Sequence, residues 1–268
     1  AVLDLDEILA GGQFEDRLRL AVAGDLLALA VDVLLYLVEP PEHVLVEDIA
    51  IGYDYENMPN ILSAVHLDAI PLPSAHLHRR ARESMRSLNL QETQSLTLSN
   101  DRVQFGHTRW NKLAETTVLA NPITIDHTMM RQRILPSLLQ LLAANRHHEL
   151  PQRVYELGTV VHDSHNGTRA AWACAEVAGG FSAAKGIAQA FLRDIGANLS
   201  EIEWKATEPN DGPWLTGRGA KAIVAGEEVG QFGELDPSVT AEFGLRVPIQ
   251  AGDFDIDALG RLILDPVL

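Results

Sequence analysis

Cysteine is almost missing from this chain of 268 residues. Cys174 stands alone, so no internal disulfide can form and a reducing, cytoplasmic compartment is expected. Lysine is scarce as well, occurring only at Lys112, Lys185, Lys205 and Lys221, within a total of 21 Lys+Arg against 37 Asp+Glu and a formal charge of -16. An acidic surface repels phosphate, which argues against a broad nucleic-acid face built by this chain alone and leaves a basic surface to a partner. The same carboxylate excess suits adaptation to concentrated salt. Long apolar runs are lacking too. Leu26 to Val38 is the longest, is interrupted by Asp32, and falls short of the ~20 residues a membrane helix needs, so it reads as a buried element. No basic region precedes an apolar stretch, which speaks against a signal peptide. The sequence starts at Ala1 without an initiator methionine and reads as a piece of a longer chain.

Familiar catalytic patterns are absent. No Gly-x-Ser-x-Gly occurs, which removes the usual serine-hydrolase elbow. Six of the ten histidines fall as His76 and His78, His147 and His148, His162 and His165, with no spacing that converges three or four nitrogen or sulfur ligands on zinc. His147 and His148 are expected near a helix C-terminus, where a cation interacts favourably with free carbonyls. Gly217-Arg218-Gly219 is a bare GxG without the third glycine, a weak signal expected in a turn.

The densest signals lie between Asn121 and Val161. A polar turn at Asn121-Pro122 leads into a short β-type run, and Pro136 then suits the first turn of a helix, where its missing N–H costs nothing. Leu135, Leu138, Leu139 and Leu142 recur at i, i+3, i+4 and i+7, so Pro136 to His148 should bury one apolar face. Pro151 ends that stretch. Arg153 to Val161 is rich in β-branched and aromatic residues and reads as a strand, with Gly158 expected to weaken or bulge its middle.

Taken together, Met130-Arg131, Leu135 to Leu139, Asn145 to Arg153 and Tyr155-Glu156-Leu157-Gly158 resemble the core of the phenylalanyl-tRNA synthetase beta chain of archaeal and eukaryotic type. Val44 to Asn60 resembles the passage where that family's winged-helix-like domain ends and its core begins. Gly180-Phe181-Ser182, Trp214 to Gly219, Val229 to Pro237 and Glu242 to Val247 continue the likeness, which spans roughly Val44 to Leu259. It implies the C-terminal part of such a chain: a winged-helix-like domain over 1–58 and a class II synthetase-like core over 59–268 without a working active site. It also implies an alpha-chain partner in a heterotetramer of two alpha and two beta chains, with ATP and phenylalanine bound by alpha and tRNA(Phe) charged by the assembly. Magnesium belongs to the family through two Asp residues and a Glu-Asp pair. Glu47 and Asp48 match the pair, but Val38 and Val44 occupy the two Asp positions, and adjacent carboxylates on one helix point apart.

The rest of the chain supports an α+β fold, an antiparallel sheet flanked by helices. Val44 to Tyr53 has helical spacing, and the turn-prone Asp54 to Asn60 marks the boundary. Ser74 is expected to cap a helix through Leu88 carrying Arg79, Arg80, Arg82 and Arg86, a cluster that suits a partner's carboxylate or phosphate or, in the alternative, intrahelical pairing such as with Glu83. Gln91 to Ser99, Ala170 to Val177 and Glu201 to Ala206 read as strands, and Phe181 to Gly196 as a helix. Ala220 to Val224 and Val229 to Leu235 flank a glycine-bearing hairpin turn. Asp236-Pro237 opens a helix closed by Gly244, and Pro248 to Ile256 is a last strand.

A working class II site needs arginines to hold ATP phosphates, one on a strand and one at a late helix start. Arg153 opens the strand in the first position but is followed by Val154-Tyr155-Glu156, and Gly233 to Pro237 brings no arginine. The residues singled out are therefore structural or interfacial: Arg131, Pro136, Leu138, Leu141, Asn145, His147, His148, Arg153 and Glu156. Leu141 widens the apolar arc of its helix, which suits a helix meeting a sheet on one side and the alpha chain on the other. The competing reading is a free-standing synthetase-like paralogue used as a binding or regulatory module.

Overall fold

The computed structural model describes residues 49–57, 70–209 and 211–263. The chain divides into two compact units, Ala1–Asp68 and Ala69–Leu268. Of the first, residues 49–53 are helical and Tyr55–Asn57 form a 3-10 turn. Between them Asp54 takes φ 73°, and its Oδ1 accepts the Glu56 N–H at 3.2 Å, the local turn bond that short acidic side chains favour. Val38, Val44, Glu47, Asp48 and the expected boundary after residue 58 lie outside the described residues.

The second unit carries a seven-stranded sheet. In chain order it runs α1 (Pro73–Ser87), β1 (Gln91–Glu92), β2 (Leu98–Ser99), a π-helical turn (Arg102–Gly106), β3 (Met129–Met130), α2 (Leu135–Ala144), β4 (Gln152–His162) and β5 (His165–Ala175). Then follow α3 (Phe181–Asp194), β6 (Ile202–Ala206), β7 (Trp214–Val224), β8 (Glu227–Leu235), α4 (Pro237–Glu242), β9 (Ile249–Asp255) and α5 (Ile256–Leu262). The sheet order is β1-β4-β5-β9-β8-β7-β6. β1 runs parallel to β4 and every other pairing is antiparallel, so the α+β, mostly antiparallel architecture expected of the sequence is present. No helix among the described residues is long and apolar enough to cross a membrane.

Helices cover both faces of the sheet. Ala170, Trp172 and Cys174 of β5 join a core with residues of α1, α3 and α5, whereas Ala171, Ala173 and Ala175 join a second core with α2. This double burial explains why β5 is apolar without alternation. On the first face the rings of Trp172 and Phe254 stack at 5.5 Å. Trp172 pairs in register with Gly252 and Phe254 with Gly230, and a Cβ at either glycine would collide with its aromatic neighbour. Glycine here makes room for ring packing across strands.

Several local expectations need correction. β4 pairs with β5 without interruption from Gln152↔Ala175 to His162↔His165, so Gly158 makes no bulge. A Cβ there would fall 2.7 Å from Arg131 Nη2 and 2.8 Å from Glu156 Oε1, and the glycine clears space for that ion pair. Ser74 is not the cap of α1: Leu72 holds that position without a side-chain bond, and Pro73 supplies the preset first-turn backbone. The expected intrahelical pair forms between Arg80 and Glu83 at 3.9 Å, while Arg82 pairs with Glu92 at 3.0 Å. Gln91 to Ser99 yields two short strands, because Ser95 turns inward to bond Glu156. After Asn121-Pro122 no strand forms before β3; Ile123 and Ile125 stand 99% and 86% exposed. Gly217 to Gly219 lies inside β7, where the register against β8 shifts, not in a turn between elements.

Other elements form as their residues dictate. Ala225 and Gly226 make the two-residue turn between β7 and β8, both with positive φ. Asp236 caps α4 by accepting the Ser238 N–H at 2.8 Å, and Gly244 follows that helix at φ 73°.

Candidate functional site

The two ends of α2 concentrate the chain's polar chemistry. At its start, Ile134 occupies the cap position without a side-chain bond of its own, and the first-turn donors would be orphaned in a buried setting. Asp253, from the central strand β9, supplies the missing acceptor: its Oδ2 takes the N–H groups of Ile134 at 3.3 Å and Leu135 at 3.4 Å. Its Oδ1 accepts Arg169 Nε at 2.5 Å and lies 3.5 Å from Arg133 Nη1. Asp253 is fully buried, and both arginines are nearly so. Arg169 also reaches Asp255 at 3.3 Å. The Arg133 guanidinium lies over the Trp110 ring, 4.2 Å from its centroid. Burial, aided by repulsion from Arg169 and opposed by Asp253, pushes its pKa down to about 10, so it stays charged at neutral pH. Trp110 and Trp214 both donate to Gln231 Oε1, at 3.1 and 2.8 Å.

A second buried pair stands apart from this network. Arg131 donates to Glu156 at 2.6 Å, to Ser95 Oγ at 2.7 Å and to the Thr159 carbonyl at 2.9 Å. Glu156 accepts Ser95 Oγ at 2.5 Å. Arg131 and Glu156 thus fasten β4 to the segments on either side of it, away from the corner where Asn145, His147 and His148 sit. A buried pair so bonded is costly to break from one side only.

Each arginine on the strands is matched to a carboxylate: Arg153 to Glu176 at 2.8 Å, Arg169 to Asp253 and Asp255, and Arg218 to Glu234 at 2.5 Å. Neither α4 nor α5, the helices that directly follow strands, brings an arginine into its first turn; Arg261 comes in the last turn of α5 and pairs with Glu227 at 2.6 Å. Phosphate binding needs guanidinium groups free to form charge-assisted bonds, and these are engaged internally. The sheet face beneath α2 is filled by Leu135, Leu138, Leu139 and Leu142 against Ala171, Ala173, Ile249 and Ala251. Among the described residues no group of three or more His, Cys, Asp or Glu is placed to hold a metal ion.

The other end of α2 is open. The helix stops at Ala144, short of the expected His148, because Asn145 turns its side-chain N–H back to the Leu141 carbonyl at 2.9 Å. Gln152 donates to the carbonyls of Asn145 and His148, both at 3.1 Å. These amides, rather than His147 and His148, meet the carbonyls there; the two imidazoles lean together at 4.2 Å and are exposed. Leu150-Pro151 is cis. Of the residues singled out from the sequence, Pro136 is buried, Leu138 is buried against the sheet, Leu141 is half-buried, and Asn145, His147, His148 and Arg153 gather around this corner. Sequence reasoning missed Arg133, Arg169, Gln231 and Asp253. A signal existed: Ile249, Ala251 and Asp253 share one face of β9 by period two, so an acid stood on an apolar face.

Comparison with known proteins agrees with this geometry. Residues 58–256 match the family described as phenylalanyl tRNA synthetase beta chain CLM domain. The phenylalanine--tRNA ligase beta subunit of Archaeoglobus fulgidus is 33% identical over 80% of this chain and 38% of its own length. That of Methanopyrus kandleri is 34% identical over 80% of this chain and 37% of its own. The chain therefore spans less than two fifths of these relatives. The fold is similar to that of PylSc, a pyrrolysyl tRNA synthetase of Desulfitobacterium hafniense, at a TM-score of 0.58 and 13% identity, covering 70% of this chain and 67% of that one. With a match running from before α1 to the start of α5, the chain belongs to the phenylalanyl-tRNA synthetase beta chain family.

Proposed function

We propose that this chain is the catalytically silent core of a phenylalanine–tRNA ligase beta subunit, supporting an alpha chain that charges tRNA(Phe) with phenylalanine using ATP. The observation that carries the reading is the sheet face beneath α2, packed with leucine and alanine and crossed by the Arg133–Asp253–Arg169 network. A substrate pocket on that face would have to expel a core helix, and a phosphate would have to compete with a paired carboxylate for each strand arginine. On this reading residues 1–58 form the end of a winged-helix-like domain, and the assembly is a cytoplasmic heterotetramer of two alpha and two beta chains. Magnesium belongs on this reading to the assembled enzyme; Glu47 and Asp48, with Val38 and Val44 in place of the two Asp residues, do not make a site by themselves.

The test is ATP/pyrophosphate exchange with phenylalanine, run on the isolated chain and on the chain co-expressed with the alpha subunit. No exchange alone and clear exchange together is the expected pair of results. Turnover by the isolated chain would overturn catalytic silence.

A further inference from the structure

Two clefts flank the corner at the C-terminal end of α2, of about 560 and 850 Å3. Leu142 and Gln152 line both. Arg86, Arg153 and His148 stand in the first, and Arg146, His147 and Arg246 in the second. No Asp or Glu lines either one, on a chain with 37 of them. Arg86, Arg146 and Arg246 form no ion pair or side-chain hydrogen bond with any other described residue, whereas the arginines of the sheet are all paired.

We propose that this corner is a docking surface for carboxylate-bearing side chains of a partner polypeptide, the alpha subunit. The inference deepens the function proposed above and rests on it. Apolar walls from Leu141, Leu142, Leu150 and Leu245 lie among the arginines, the anatomy of a protein interface, where arginine is enriched around an apolar centre. The guanidinium fork suits carboxylates bidentately. Nucleic acid fits less well, since a net charge of -16 opposes a polyanion over its whole length while leaving short-range carboxylate pairs favourable.

The experiment co-expresses the full chain with the alpha subunit encoded by the same genome and measures the affinity of the complex. The variants are Arg86→Glu/Arg146→Glu/Arg246→Glu and a control, Arg79→Glu/Lys205→Glu, at exposed cations outside both clefts. The wild type and the control should bind alpha equally, and the triple variant at least about tenfold more weakly, with an unchanged melting curve. Should charge reversal impair folding, the corresponding three Arg→Gln changes give the same reading with a smaller loss. Binding by the triple variant within about twofold of wild type overturns this proposal and leaves the subunit reading intact. A wild-type chain that does not bind alpha overturns both. Retained alpha binding with lost binding of tRNA transcripts to the complex would assign the corner to nucleic acid and also overturn the proposal.

Discussion

At its N-terminal end α2 meets a carboxylate 118 residues away in sequence, and that single group accepts two helix donors and one arginine and faces a second. At its C-terminal end the same helix meets local amides, and Arg86, Arg146 and Arg246 around it have no described acidic partner. The contrast separates two uses of charge within one element. Where a cation and an anion are buried together, the pair fixes how a helix sits on a sheet and offers nothing to a ligand. Where cations are left at an apolar corner of an acidic chain, their electrostatic attraction remains available to a partner.

The most severe way to break the contrast is Asp253→Asn, which keeps the shape but strips the charge from between two buried arginines. Removing one side of a buried pair costs about 3–5 kcal/mol. The denaturation midpoint in urea should fall accordingly, and a loss below about 1 kcal/mol would mean that the network does not anchor α2. Gly158→Ala comes next. Its methyl group would sit between Arg131 and Glu156, and overpacking of a closed site costs about 1–3 kcal/mol. A neutral result would show that the pair can shift aside. At the open end, Gln152→Ala removes two partly exposed bonds to carbonyls, each contributing about 0.5–1.5 kcal/mol. Its destabilisation should be smaller than either buried change, and the effect should concentrate in faster amide exchange over 145–148.

These comparisons also mark how far the residues themselves reveal the fold. The strands β4, β5, β8 and β9, the cap at Asp236 and the first-turn proline of α2 follow from period, turn chemistry and backbone restriction, all local properties. Asp253 could be suspected from its place on an apolar strand face, but its partners come from β5 and the start of α2, and no local pattern brings those together. Gly158 is ambiguous in sequence because a glycine in a strand has two common uses, a bulge or a close approach, and the neighbour that decides between them is Arg131. The end of α2 is hidden in the sequence for a similar reason. Leucine spacing continues to Leu142, whereas the stop depends on Asn145 folding back and on Gln152 crossing from the next strand. Glu47 and Asp48, the magnesium expectation, lie outside the described residues.

The smallest expected effect is a pH dependence at the buried end. His162 closes β4 beside this network, and burial first, then the positive Arg169, lowers its pKa below the ordinary 6.5, with Asp255 and Asp163 opposing and Arg133 assisting weakly. The unfolded chain therefore binds a proton at this ring more readily than the folded chain does. Its contribution to stability is complete above about pH 6.5 and is lost as pH falls through the lower folded value. Replacing His162 by Gln should flatten the melting-temperature profile on the acid side of pH 6.5 while leaving it unchanged at pH 8. A His162→Gln profile parallel to wild type over that window would show that the buried charges do not reach this ring, and would shrink the network to its contacts with Asp253 and Asp255.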